Sequence, residues 1–265
     1  MKKLLLIKEL LDEKYQQYNT QGFIENDPVL IPHLFSTKED IEIAGFLAAT
    51  IAWGNRKSII TNARQLMTLM EHAPHEFIVQ HSKKERQRFK KFVHRTFNGE
   101  DLMFFMASLQ NIYLHHGGLE QTFSVNTAEQ DANVKENIIK FRCIFFGIDH
   151  PARTLKHVSN PEQKSSAKRL CMFLRWMVRK DKKGVDFGIW TSVKPSQLCL
   201  PLDVHTGNIS RNLGILKRKQ NDWQAVEEVT AVLQKFDPLD PVKYDFSLFG
   251  MGVNKDLDLV TRKTK

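Results

Sequence analysis

Apolar positions recur at helical spacing along nearly the whole chain, and strand-like alternation is scarce. Near the amino end, Leu4, Ile7, Leu11 and Tyr15 fall on one side of an amphipathic helix. Ser36 to Glu39 has the form of a capping box and opens a helix through IEIAGFLAATIAW, which Gly54 ends. Ile59, Ala63, Leu66, Met67 and Met70 stripe the next helix. Ser82 to Glu85 forms a second box ahead of a very basic segment, KKERQRFKKFVHR (83–95), which is predicted to be helical. Further stripes fall in 100–115 (Leu102, Phe105, Met106, Leu109, Tyr113) and 131–146 (Val134, Ile138, Phe141, Phe145). Others fall in 164–180 (Leu170, Cys171, Leu174, Met177), in 222–236 and in about 240–250. No Asn-Gly hairpin is convincing, and extended pieces are expected only near 187–193. The pattern predicts an all-α protein of about ten helices. The polar stretch HPARTLKHVSNPEQ (150–163), with two prolines, is the expected linker. The chain therefore reads as a single domain over 1–265, with two helical lobes and a cleft between them as the finer expectation. The C-terminal TRKTK is expected to fray.

Composition sharpens this in four ways. At 265 residues and 42% apolar, the chain is long and greasy enough for a substantial core. Lys plus Arg exceed Asp plus Glu by 39 − 30 = 9, which favours polyanionic partners, nucleic acid before an anionic membrane surface. No run approaches the roughly 20 apolar residues of a membrane span, and the amino-terminal MKKLLLIKELL breaks at Lys8 and Glu9, too early for a signal peptide. The three cysteines, Cys143, Cys171 and Cys199, are far apart and sit among apolar neighbours. They read as buried, reduced thiols of a cytoplasmic protein, and the lack of a CxxC argues against a structural metal or an iron–sulfur cluster. No cofactor is expected, and the chain is expected to be a monomer.

Four stretches are candidates for chemistry. In KSSAKRLCMFLRWMVRKD (164–181), Lys164, Lys168, Arg175 and Arg179 recur along one side of the expected helix. The ordinary reading is a solvated basic face, and the functional one is a face that tracks phosphates. A lysine near the helix start, beside Arg169, lies in the positive end of the helix dipole, which favours the nucleophilic neutral amine. In PLDVHT (201–206), Asp203 is placed to cap a short helix. It is either a plain cap or a carboxylate held rigid by its cap bonds, fit to stabilise a cationic transition state. His205 is either packed or in contact with a phosphate. AWGNRKS (52–58) is either a simple helix connection or a loop presenting Trp53, Asn55, Arg56 and Lys57 to a ligand. In FDPLDPVKYDFSLFGMG (236–252), Asp245 is the odd polar residue of an apolar helix and reads as a satisfied structural carboxylate.

Together these stretches resemble the helix-hairpin-helix superfamily of DNA glycosylases. They are most similar to a bacterial family of unassigned function that resembles a divergent branch of it, with archaeal 8-oxoguanine DNA glycosylases as the nearest comparison. PLDVHT resembles the stretch that carries the catalytic Asp, which implies that role for Asp203. SAKRLCMFLRWMVR resembles the helix whose first turn bears the Schiff-base lysine, which implies Lys168, with Lys164 as a rival. FLAATIAWGNRKSIITNARQL resembles the helix–loop–helix whose loop enters the duplex, which implies that Asn55 fills the gap left by a flipped base. Arg56 and Lys57 lie beside it. YDFSLFGMG resembles the closing core helix. The implied partner is double-stranded DNA with a damaged base, gripped also by Lys164, Arg169, Arg175 and His205. The implied activity is base excision with an AP-lyase step, on an oxidised purine such as 8-oxoguanine. The superfamily's glycine-rich hairpin is missing: SNPEQKSSA (159–167) precedes the lysine, so a phosphate clamp is lost. The separation between lysine and aspartate is also wide, 203 − 168 = 35. Two alternatives follow: a non-catalytic DNA- or RNA-binding protein that retains the glycosylase fold, and a glycosylase that uses Asp203 to activate water without a lyase step.

Overall fold

The computed structural model describes residues 2–124, 133–254 and 256. In chain order its helices are α1 (Lys2–Tyr18), α2 (Gln21–Glu25), α3 (Lys38–Thr50), α4 (Arg56–Leu69), α5 (Pro74–Gln80), α6 (Gly99–His115) and α7 (Leu119–Thr122). They continue as α8 (Lys135–Phe145), α9 (Lys168–Val178), α10 (Val204–Leu213), α11 (Trp223–Phe236) and α12 (Tyr244–Asn254). The one sheet among the described residues pairs β1 (Val93–His94) antiparallel with β2 (Phe97–Asn98). The fold is all-α, as the periodicity predicts. The start of the helix expected over 131–146 and the C-terminal TRKTK lie outside the described residues.

The described chain divides into two compact units. One comprises residues 24–160 and 189–193. Its core is aromatic. Phe46 of α3 stacks on Phe105 of α6 at 5.9 Å, Phe105 meets Phe145 of α8 edge-on at 4.8 Å, and Phe141 stacks on Phe123 at 4.2 Å. All are buried, so the burial and the ring geometry act together. The buried Glu42 accepts from the Tyr113 hydroxyl and the Trp190 indole N–H, both at 2.7 Å, and Glu120 accepts from Thr191 N–H and Ser192 N–H at 2.7 and 2.9 Å. These bonds stitch 189–193 into this unit, where the sequence suggested only extended pieces.

The other unit comprises residues up to 23, 161–188 and the chain from 194 onward. Here α1 packs on α12, and α12 packs on α10. The approach is close: a Cβ on Gly250 would lie 2.2 Å from the Tyr18 ring, so only glycine lets the two helices meet there.

Four expectations need correction. The basic segment 83–95 is not a helix. The Ser82–Glu85 box does form, with Ser82 N–H donating to Glu85 at 2.7 Å. It opens only a 3₁₀ turn over Glu85–Phe89, and the chain then becomes β1. Buried Phe92 and His94 flank exposed Val93, a period of two that the surrounding charges mask. At the start of α3 the cap is Thr37, whose hydroxyl bonds Asp40, one residue along from the expected Ser36–Glu39 box. Cys143 is exposed on α8, whereas Cys171 and Cys199 are buried. Finally, α9 is buried all round from Leu170 to Val178. Its basic stripe therefore does not face solvent beyond the first turn.

Candidate active site

Lys168 is the first residue of α9, preceded by Ala167 in the left-handed conformation (φ +46°). The approach to the helix is pinned. Ser165 forms an antiparallel bridge with Asp222, and Trp223 N–H donates to the Lys164 carbonyl at 3.3 Å. Asp222 in turn caps α11 and pairs with Arg218. A glycine-free stretch thus makes its turns with Lys164 (φ +65°) and Ala167 in left-handed geometry.

Asp203 caps α10. Thr206 N–H donates to Asp203 Oδ1 at 3.0 Å, and Asp203 N–H donates to Thr206 Oγ1 at 2.9 Å, a reciprocal capping box. The Asn221 side-chain amide donates to the Asp203 carbonyl at 3.0 Å, which fixes the cap from a third direction. Its free oxygen, Oδ2, lies 3.7 Å from Lys168 Nζ. The two side chains are 22% and 25% exposed, so both are open to a ligand while partly shielded from water. The Lys168 ammonium also lies 3.8 Å from Met172 Sδ. An amine and a rigid carboxylate thus share one spot at the starts of two helices.

Behind them lies a layer of buried charge. Arg175 pairs with Asp245 and, at 3.2 Å, with Asp186. Arg179, fully buried, pairs with Asp181, Asp186 and Asp240 at 2.7, 3.0 and 2.9 Å. Arg175 is therefore not a phosphate contact; its guanidinium is sequestered by carboxylates, without which a buried cation would be very costly. Burial pushes the Asp245 carboxyl up to about 6. Arg175 opposes the rise, Asp203 adds to it, and Lys168 opposes it. Asp245 is thus electrostatically coupled to the Lys168–Asp203 pair. Its clue in the sequence is an acid inside an apolar helix, matched with an arginine inside another.

The other candidates divide by unit. Lys164 is exposed and four residues upstream of Lys168; only Lys168 meets Asp203. Arg169 is half-buried, and desolvation lowers its pKa to about 10. His205 is exposed on α10 with its ring edge-on to Phe249 at 6.2 Å, a supporting contact between α10 and α12. Asn55, Arg56 and Lys57 belong to the other unit. Asn55 is exposed and caps α4, accepting from Ser58 N–H at 3.2 Å. Arg56 and Lys57 line an open depression along α4 with Asn26, Ile60, Thr61 and Arg64. No helix among the described residues is long and apolar enough to cross a membrane, and no cluster of His, Cys, Asp or Glu there is arranged to hold a metal ion.

The fold and site define an all-α protein with a paired lysine and helix-capping aspartate. Residues 27–254 match a family described as protein of unknown function (DUF2400), and the chain belongs to that family. Neither curated proteins nor solved structures yield a significant match.

Proposed function

We propose that the protein is a DNA glycosylase with AP-lyase activity that excises an oxidised purine, 8-oxoguanine being the first candidate, from double-stranded DNA. The observation that carries the reading is the 3.7 Å approach of Lys168 Nζ to Asp203 Oδ2. The base leaves the stack at the expense of a few kcal/mol. Asp203 stabilises the positive charge that develops on the sugar as the glycosidic bond weakens, and its cap bonds keep it from relaxing away. The neutral Lys168 amine attacks the anomeric carbon as the glycosidic bond breaks, and the departing base takes up a proton. Opening of the sugar C1′–O4′ bond then turns the aminal into a Schiff base, which permits strand cleavage. Asn55 occupies the vacated space in the duplex, with Arg56 and Lys57 on neighbouring phosphates.

Borohydride trapping on a duplex containing 8-oxoguanine tests this directly. A covalent adduct is expected for the wild type and for Lys164→Gln, and none for Lys168→Gln. The glycine-free turn ahead of α9 favours a second reading, a nucleic-acid-binding protein without chemistry. That reading predicts salt-sensitive binding with neither adduct nor excision across a panel of lesions, an outcome that removes the enzyme claim.

A further inference from the structure

The hairpin of β1 and β2 is closed by two residues, Arg95 and Thr96. Arg95 has φ +54°, and Thr96 is not left-handed. A two-residue hairpin loop whose first corner alone is left-handed suits glycine at that corner. Arginine there is strained relative to glycine, and backbone strain clusters at functional sites. Nothing within the described residues uses its guanidinium. Arg95 is exposed and makes no hydrogen bond or ion pair there.

The Arg95 side chain lies over Gly54 of the neighbouring loop. Gly54 has φ +103°, and a Cβ on it would lie 3.0 Å from Arg95 Cδ and 3.1 Å from Arg95 Nη1. The arginine therefore lies along the residue just before Asn55. His94 fastens the hairpin in place. Its Nε2 lies 3.2 Å from the Trp53 carbonyl oxygen and its Nδ1 lies 2.8 Å from the Asn62 amide. The assignment that satisfies both is an Nε2–H donating to Trp53 and an Nδ1 accepting from Asn62. The exposed Lys57 and Arg64 continue the positive surface along α4.

We infer that the 95–96 turn and the 53–57 loop form one DNA-contacting surface, in which Arg95 grips a backbone phosphate beside the point where Asn55 enters the duplex. The inference rests on the DNA reading above and adds a residue and an element to it. A forked guanidinium suits a phosphate, and a phosphate contact holds register without reading sequence.

Arg95→Gly is the informative variant, because glycine fits the turn and the fold is retained. Its melting temperature is expected to equal or exceed that of the wild type. Affinity for a duplex is measured between 50 and 200 mM salt. The expected result is about fivefold weaker binding and a log–log salt slope shallower by about 1, the same on damaged and undamaged duplexes. Lys235→Ala, which removes one exposed charge from α11, leaves both quantities unchanged. Wild-type affinity and slope in Arg95→Gly overturn this inference and leave the DNA reading standing. Absence of duplex binding by the wild type overturns the DNA reading and this inference with it.

Discussion

The Asp203 carboxylate uses Oδ1 to cap α10 and turns Oδ2 toward Lys168, so its two tasks can be separated chemically. Asparagine keeps an acceptor oxygen for Thr206 N–H and is as good a cap as aspartate, whereas alanine is not. Asp203→Asn is expected to fold within about 0.5 kcal/mol of the wild type, and Asp203→Ala to lose about 1 kcal/mol. Both are expected to lose excision by about 10²- to 10³-fold, since the charge that stabilises the transition state is gone. Urea unfolding beside single-turnover excision measures both; full activity in Asp203→Asn would show that the charge is idle. Asp245 offers a different handle. Its folded pKa of about 6 stands above the usual 3.8 because of burial. Between about pH 4 and 6 the folded chain holds a proton that the unfolded chain has released. Stability therefore falls as pH rises through that window, by up to about 3 kcal/mol, and no longer changes from this source above it. Asp245→Asn resembles the protonated form, and Arg175 keeps Asp186 as a partner. The difference in unfolding free energy between the wild type and Asp245→Asn is expected to slope across pH 4–6 and to be flat above 6.5. A flat difference throughout would place the Asp245 titration elsewhere.

Elements made by local chemistry were readable in the sequence, and those made by distant partners were not. The cap of α10 is formed by residues three apart, Asp203 and Thr206, and PLDVHT announces it. The cap of α4 by Asn55 is equally local. The stripes that predict α4, α6, α8 and α11 are long enough to average out exceptions. The segment 83–95 departs from a helix because its capping box is real but short-lived, and two-residue strands carry almost no periodic signal among seven lysines and arginines. On α9 the apolar side of Leu170, Leu174 and Met177 is buried, as its spacing predicts. Hydrophobic pattern says which side of a helix is apolar, but not whether its charged side is also covered. That depends on Asp186, Asp240 and Asp245 arriving from other parts of the chain. The Lys168–Asp203 approach is of the same kind. The residues are 35 apart, and nothing in local spacing brings them together.

The molecule is woven so that its amino-terminal helix completes the unit that holds Lys168 and Asp203. The family match begins at residue 27, after α1 has ended, yet α1 supplies Ile7, Leu10, Leu11 and Tyr15 to that unit's buried interior. The Ser247 hydroxyl of α12 donates to the Leu11 carbonyl at 2.6 Å, the Tyr244 hydroxyl donates to Asp12 at 3.0 Å, and Arg179 donates to the Tyr15 hydroxyl at 2.7 Å. Leu11 itself is wholly buried. Leu11→Asp removes a packed side chain and places a carboxylate in a fully buried position. A loss of more than about 4 kcal/mol is expected, a large share of the stability of an ordinary domain. Hydrogen exchange read segment by segment should show where that loss falls. Amides of α9, α10 and α12 are expected to lose protection first, with α3, α6 and α8 retaining theirs at the same denaturant concentration. Uniform loss across all six helices would mean that the two units unfold as one. Unchanged protection in α9 and α10 would mean that α1 is an appendage and that the Lys168–Asp203 geometry stands without it.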